Sequence, residues 1–315
     1  AGARSLVCDL EAVAGRATLA ALLSEADIFI DDTPVDLRTA CGLDRETVAA
    51  RHPDLIHVSV LPFGATGPKA GWKAEEITLL HASGEGNLLP NGLSLEMFPD
   101  RPPVKIYGHF ATMQGGIAAA LGALSALWAR DRLGGQFVDV ASQDAALAVA
   151  AFSVQRFGDG VLEHRGGRSF RYGGVLPCAD GYVELLTLEQ RQWDALVEVM
   201  GRPGWMLDPA LADPLERGRR GGEINRLLRA WARERKVADI VALGQPLGVP
   251  LARYAQPIDV LADPHVRHRG LFTPVTIDGA GTFDMLVAPF RFDAAPLHLR
   301  GGPPALGDAA GVGPE

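Results

Sequence analysis

The stretch from Leu55 to Pro68 constrains the fold of this chain more than any other segment. Its first seven residues are apolar except for His57 and Ser59, which predicts a short buried strand. Two prolines and two glycines follow by position 68, so the strand must end in a loop of restricted shape. Such a loop, at the carboxyl end of a buried parallel strand, is where open α/β sheets bind ligands. An ordinary strand-to-loop turn has the same composition, so its meaning depends on the surrounding segments.

The first 150 residues alternate strand-like and helix-like segments, which predicts an α/β layer fold. Asp44 is expected to cap one of the helices and Ser142 another, because short polar side chains favour the N-cap position. The predicted helices are 16–26, 44–51, 74–83, 115–130 and 145–157, and the predicted strands are 27–30, 55–61 and 136–140.

The second half of the chain predicts a smaller unit with a different pattern. Residues 158–174 are rich in glycine and arginine, which is typical of a linker or mobile loop. Strands are expected within 175–187 and 271–293, and helices at 188–200 and 222–235. We therefore divide the chain into a large α/β domain, a linker, a small α+β domain and a C-terminal segment that returns to the large domain. Their limits are 1–157, 158–174, 175–250 and 251–315, with the last residues, from Gly301, expected to be poorly ordered.

Composition excludes several classes of function. A net charge of −8 argues against nucleic acid as the main partner. The three cysteines, Cys8, Cys41 and Cys178, are far apart, so we expect a reducing cytoplasm and neither a disulfide framework nor a metal site. No signal peptide is visible at the amino end, and the apolar run from Gly115 to Trp128 is too short to span a bilayer. We expect no membrane partner.

Nine further segments stand in a characteristic order along the chain. They are 26–34, 41–44, 52–56, 101–103, 115–127, 135–145, 178–183, 248–250 and 262–270. In this order and at these spacings the chain resembles the class III CoA-transferases, the group of formyl-CoA transferase, carnitine CoA-transferase and α-methylacyl-CoA racemase. The resemblance runs from Arg4 to Gly307.

The resemblance implies a Rossmann-like large domain, a smaller α+β domain and an interlocked homodimer in which each chain threads through the other. It implies that the substrates are an acyl-CoA and a carboxylic acid. CoA is then part of a substrate, and no cofactor is permanently bound. Family members usually begin with a further strand and helix, which the resemblance does not find ahead of Ala1. Either the natural protein is shorter or this is a fragment.

The family's catalytic aspartate carries acyl groups and CoA covalently, and its position here falls at Thr112 or Ala111. No acidic residue stands between Asp100 and Asp131. Three hypotheses remain open. His109 and Thr112 form an alternative acyl-transfer pair; His109 is a local hydrogen-bonding residue and the standard chemistry is absent; or Glu76 supplies the carboxylate.

Glu76 ends the run Lys73-Ala-Glu-Glu76, where the family has an acidic residue near the active site. Two adjacent carboxylates at a helix start are also stabilised by the helix dipole alone, so a structural role is an equal alternative. The racemase branch has a His-Asp pair at this place, whereas this chain has Glu75-Glu76. Racemase activity is therefore disfavoured.

Five residues are candidates for CoA binding by the same resemblance. Lys73 falls where formyl-CoA transferase has a lysine near the CoA phosphates, with Ala74 beside it; a solvated surface lysine is the alternative. Asp32 and Thr33 occupy the position of the family's Asn-Phe pair. Asp32 would repel phosphates unless a cation such as Arg38 compensates its charge.

These observations predict a class III CoA-transferase-like protein that moves CoA between an acyl-CoA and a carboxylic acid. The alternative is a catalytically silent CoA-binding or scaffolding subunit that pairs with an intact paralogue. The missing aspartate at 111–112 is the feature that separates the two.

Overall fold

The computed structural model describes residues 2–149, 154, 155, 158, 160 and 172–309. The predicted linker 158–174 and the second half of the predicted helix 145–157 lie mostly outside the described residues, as do the last residues of the tail.

Helices and strands alternate in the first half, as predicted. The helices are α1 (Val13–Glu25), α2 (Val35–Cys41), α3 (Arg45–Arg51), α4 (Glu76–Ala82), α5 (Gly92–Met97), α6 (Phe110–Leu133), α7 (Ser142–Val149), α8 (Gln190–Val199), α9 (Pro214–Arg219), α10 (Gly221–Arg233), α11 (Val237–Gly244), α12 (Pro257–Ala262) and α13 (Pro264–His268). The strands are β1 (Ile28–Asp31), β2 (Ile56–Leu61), β3 (Phe137–Ala141), β4 (Gly174–Cys178), β5 (Gly181–Leu185), β6 (Leu251–Arg253), β7 (Phe272–Ile277) and β8 (Gly281–Leu286).

The first sheet is parallel and three-stranded, in the order β1-β2-β3. β2 is its central strand, and the prediction of a buried strand there is confirmed, since His57 and Ser59 are as inaccessible as the aliphatic residues around them. Ile56 and Val58 pack on one face against the alanines of α6. The opposite face carries the polar side chains and Phe29. Parallel strands covered on both faces are typical of α/β proteins.

The predicted cap at the start of α3 is confirmed. The Asp44 carboxylate accepts a hydrogen bond of 2.9 Å from the Thr47 backbone N–H. This bond satisfies one of the donors that a helix start leaves free, and it holds the pKa of Asp44 below its ordinary value. Ser142 differs slightly from its predicted role, because α7 begins at Ser142 itself.

Helix α6 is longer than predicted. It has 24 residues and starts at Phe110, whereas the Gly115-Gly116 pair had indicated a start at 115. The expectation that this segment is too short to span a bilayer is therefore wrong. By length and composition alone, α6 could cross a membrane. Its alanines Ala119, Ala123 and Ala126 nevertheless pack on the sheet, which gives α6 a role in the core of the protein.

A second hydrophobic core lies within residues 176–251. It is built on the antiparallel sheet β4-β5-β6, against which α10 and α11 pack, while α8 contributes Trp193 and Leu196 to the core. The predicted β-rich tail is confirmed as the hairpin β7-β8. The domain limits given above stay a prediction.

The adjacent glycines of α6 offer a matched test of this packing. A Cβ on Gly115 would lie 2.5 Å from Ser142 Oγ, whereas a Cβ on Gly116 would meet open space. Gly116→Ala should raise the free energy of unfolding by up to about 1 kcal/mol through helix propensity. Gly115→Ala should lower it by about 1 kcal/mol or more, because overpacking outweighs the same gain. Urea unfolding of both variants measures the difference, and equal effects would contradict the α6–α7 contact.

Candidate functional site

Glu76 reaches from the start of α4 to the start of α6. Its Oε1 accepts a hydrogen bond of 2.9 Å from the Ala111 N–H, and its Oε2 accepts one of 3.0 Å from the Thr112 N–H. The Thr112 hydroxyl donates a third hydrogen bond, of 2.8 Å, to Oε2. Since the first N–H groups of a helix lack partners within the helix and the helix dipole is positive there, this end of α6 attracts a carboxylate.

Local sequence explains how Glu76 arrives there. Glu75 and Thr78 form a capping box that starts α4 directly at Glu76. Ala74, Leu79, Ala111 and Ala146 form a small apolar cluster that joins α4, α6 and α7 around this point. The Glu76 side chain is therefore buried beside the first turn of α6.

The surroundings of Glu76 keep it ionised. Burial alone would raise its pKa, but the hydrogen bonds from Ala111 and Thr112, with the nearby charge of Lys105, lower the pKa below the ordinary value. Lys105 also donates to the Ile106 and Gly108 carbonyl oxygens, at 2.9 and 2.7 Å. It thus shapes the loop that leads into α6.

The structure brings together three of the four residues named for catalysis. Ala111, Thr112 and Glu76 share the hydrogen bonds given above, across more than thirty positions of sequence. His109 stands at the N-cap position of α6 and is exposed, and its side chain makes no hydrogen bond with any part of the chain that the structure describes. The group that touches the Thr112 hydroxyl is therefore Glu76.

The residues named for CoA binding are spread over two segments. Lys73 is exposed, which is compatible with a contact to the CoA phosphates and also with a solvated surface lysine. The neighbouring Ala74 packs in the apolar cluster described above. Asp32 is exposed and Thr33 half-buried, directly after β1.

Arg38 does not compensate the charge of Asp32, as the sequence had suggested. It lies in α2 and is buried, and its Nη2 is 3.3 Å from Asp31 Oδ2 and 2.8 Å from Ser59 Oγ. Its charge is therefore paired with Asp31, and the expected compensation of Asp32 is replaced by this buried ion pair. His57 completes the cluster, with Nε2 at 3.1 Å from the same Asp31 oxygen.

The glycine-containing loop after β2, residues 62–68, is hydrogen-bonded to β3. The Ala65 N–H donates to Asp139 Oδ1 at 2.7 Å, so this N–H is already used within the protein. Sequence reasoning also missed a cluster on this loop, in which the Lys69 ammonium lies 5.4 Å from the ring centroids of both Phe63 and Trp72. The second glycine run, 166–174, lies mostly outside the described residues.

The chain matches the sequence pattern of CoA-transferase family III over residues 1–309. It belongs to CoA-transferase family III. The resemblance found from the sequence is thereby confirmed.

Named relatives of this family III chain support the same assignment. It is 29% identical over 323 residues to the succinyl-CoA:(R)-benzylsuccinate CoA-transferase subunit BbsE of Thauera aromatica. That match covers 98% of this chain and 77% of the Thauera protein. It is 28% identical over 313 residues to the succinyl-CoA–D-citramalate CoA-transferase of Chloroflexus aurantiacus, covering 96% and 75% of the two chains. A solved CAIB/BAIF family protein from Brucella suis has a TM-score of 0.80 at 28% identity, over 97% of this chain and 79% of that one.

Proposed function

We propose that this chain transfers CoA between an acyl-CoA and a carboxylic acid, with Glu76 as the carboxylate that carries the acyl group and then CoA. The observation that carries the proposal is the hydrogen-bonded contact between Glu76 and Thr112. Thr112 stands where the resemblance places the family's aspartate. A carboxylate is thus present beside the family's catalytic position, although a different element supplies it.

The chemistry needs no oxidant and no metal-bound step. A Glu76 oxygen attacks the thioester carbonyl carbon, the C–S bond breaks, CoA leaves as a thiolate, and a mixed anhydride of Glu76 and the acyl group remains. The thiolate then attacks the Glu76 side-chain carbonyl carbon, which releases the first carboxylic acid and leaves a glutamyl thioester. The acceptor carboxylate attacks this thioester, expels the thiolate and forms a second mixed anhydride, between Glu76 and the acceptor acid. The thiolate finally attacks the new acyl carbonyl, which yields the new acyl-CoA and frees Glu76.

The start of α6 contributes twice to these steps. Its N–H groups lower the pKa of Glu76 against the effect of burial, so the nucleophile is ionised at neutral pH. When a tetrahedral intermediate forms on the Glu76 carboxyl carbon, the same donors lie beside the oxygen that becomes negative. Fixed donors aimed at a developing oxyanion are a major source of catalysis.

A second candidate function is the silent CoA-binding subunit. It is favoured by the threonine at the aspartate position and by the name of the Thauera relative, which describes that protein as a subunit. In that case Glu76 holds the helix start and an intact paralogue carries the reaction. Racemase chemistry has no such support, because Glu75-Glu76 replaces its His-Asp pair.

Single substitutions separate the active and silent forms. With succinyl-CoA as donor and a panel of carboxylic acids as acceptors, Glu76→Gln should lower turnover by roughly 10³-fold or more, since an amide cannot form the anhydride. Thr112→Ser keeps the hydroxyl and should retain most of the activity. Circular dichroism controls for folding. Loss of turnover in His109→Ala with full activity in Glu76→Gln would contradict the proposal, and an inactive unmodified chain would favour the silent subunit.

We further propose an interlocked homodimer, because an apolar stripe along α6 is open to solvent in the single chain. Its residues are between 62% and 89% exposed. The stripe consists of Met113, Ile117, Leu121, Leu124 and Trp128. A second copy that wraps this chain would cover such a surface.

The dimer has a direct test by light scattering at decreasing concentration. The mass should stay at twice 33.4 kDa on dilution, because interlocked chains separate only by unfolding. Leu124→Lys in the stripe should disrupt assembly. Leu215 in α9 is also well exposed, and Leu215→Lys should leave assembly unchanged. A monomer that forms reversibly on dilution would contradict the topology.

Two broader expectations complete the proposal. We propose that the parallel sheet β1-β2-β3 belongs to a Rossmann-like layer that binds CoA at the carboxyl ends of its strands, as such sheets bind nucleotides. We also propose that the protein works in a reducing cytoplasm, which is consistent with its three unpaired cysteines.

A further inference from the structure

The backbone of Thr33 is held on both sides by two buried side chains. Its N–H donates a hydrogen bond of 2.8 Å to Asp31 Oδ1, and its carbonyl oxygen accepts one of 2.9 Å from Arg38 Nε. The loop that follows β1, residues 32–34, is therefore fixed at its centre by one acid and one base. We call this pair of side chains the Asp31–Arg38 clamp.

The two clamp side chains are held in place by each other and by two residues of β2. Arg38 Nη2 is 3.3 Å from Asp31 Oδ2, and the two side chains are only 5% and 2% exposed. Ser59 accepts from the same Arg38 nitrogen, and His57 contacts the same Asp31 oxygen. The buried positive charge of Arg38 thus has the buried negative charge of Asp31 as its partner.

The charges of the two clamp residues favour this arrangement. Burial would raise the pKa of Asp31, but its hydrogen bonds with His57 and Thr33 and the charge of Arg38 lower it below the ordinary value. Asp31 is therefore ionised at neutral pH and keeps Arg38 turned inward. The Arg38 donors described here are directed at Asp31, Ser59 and Thr33, so they are used within the protein.

We propose that Asp31 and Arg38 are positioning residues that hold loop 32–34 in the shape that receives CoA, and that Arg38 acts through this loop without touching the phosphates. The inference rests on the proposed function, because it takes CoA as the ligand at the carboxyl end of β1. Ligands of parallel sheets bind at this end, and a preformed loop avoids the entropy of ordering on binding. It replaces the direct contact between Arg38 and CoA that the sequence indicated.

The test uses three variants of the full chain with free CoA as the probe. Arg38→Met and Asp31→Leu each leave one buried charge without its partner, so both should be less stable and bind CoA at least tenfold more weakly. The double variant removes both charges together, and replacing a whole buried ion pair by apolar residues is often tolerated. It should therefore regain stability in urea unfolding and still bind CoA at least tenfold more weakly. Amide hydrogen exchange at Asp32 and Thr33 should be faster in the double variant.

Arg217→Met is the matched control. Arg217 is as buried as Arg38, but it belongs to the other half of the chain, where it donates to the Leu211 carbonyl oxygen. This variant should lose stability and bind CoA as the unmodified protein does.

The outcomes distinguish the inference from the proposed function. If the unmodified chain binds CoA and the double variant binds it equally well, the positioning role is overturned and the proposed function stands. If Arg217→Met loses affinity to the same extent, the loss reflects general destabilisation, which also overturns the positioning role. If the unmodified chain does not bind CoA, both are overturned.

Discussion

The site depends on one interaction, the carboxylate of Glu76 at the start of α6. The first N–H groups of a helix have no partners within it, and Ala111 is completely buried, so water cannot satisfy its N–H. Glu76 fills this need with both oxygens. The bond joins α4 to α6, and α6 in turn covers the central strand of the parallel sheet. The same contact is therefore a structural requirement and the source of an ionised carboxylate.

The two faces of the parallel sheet β1-β2-β3 hold their neighbouring segments by different interactions. On the α6 side, small residues allow close packing against Ile56 and Val58. On the other side, a buried ion pair and two polar residues of β2 hold the loop after β1. Buried charges are costly unless they are paired, and here each charge has its partner. The second arrangement lies at the carboxyl end of β1, which Asp32 and Thr33 follow directly.

The predictions that succeeded were local or periodic. The apolar run of β2 and the cap at Asp44 follow from neighbouring residues alone, and both are confirmed. The start of α6 was predicted five residues late, because the glycine pair suggests a helix end while its tertiary contacts favour helix. The partnerships of Glu76 with Thr112 and of Arg38 with Asp31 depend on tertiary packing. No spacing rule shows that a carboxylate will reach a helix start 35 residues away.

The most direct test of this account is to locate the covalent intermediate. The protein is mixed with succinyl-CoA, quenched in acid, treated with hydroxylamine to convert an activated carboxyl into a stable hydroxamate, and digested for tandem mass spectrometry. We expect modification of the peptide that contains Glu76, at that residue, and none at Thr112 or His109. An acyl group found on the Thr112 hydroxyl, or a hydroxamate on another carboxylate with Glu76 unmodified, would contradict it.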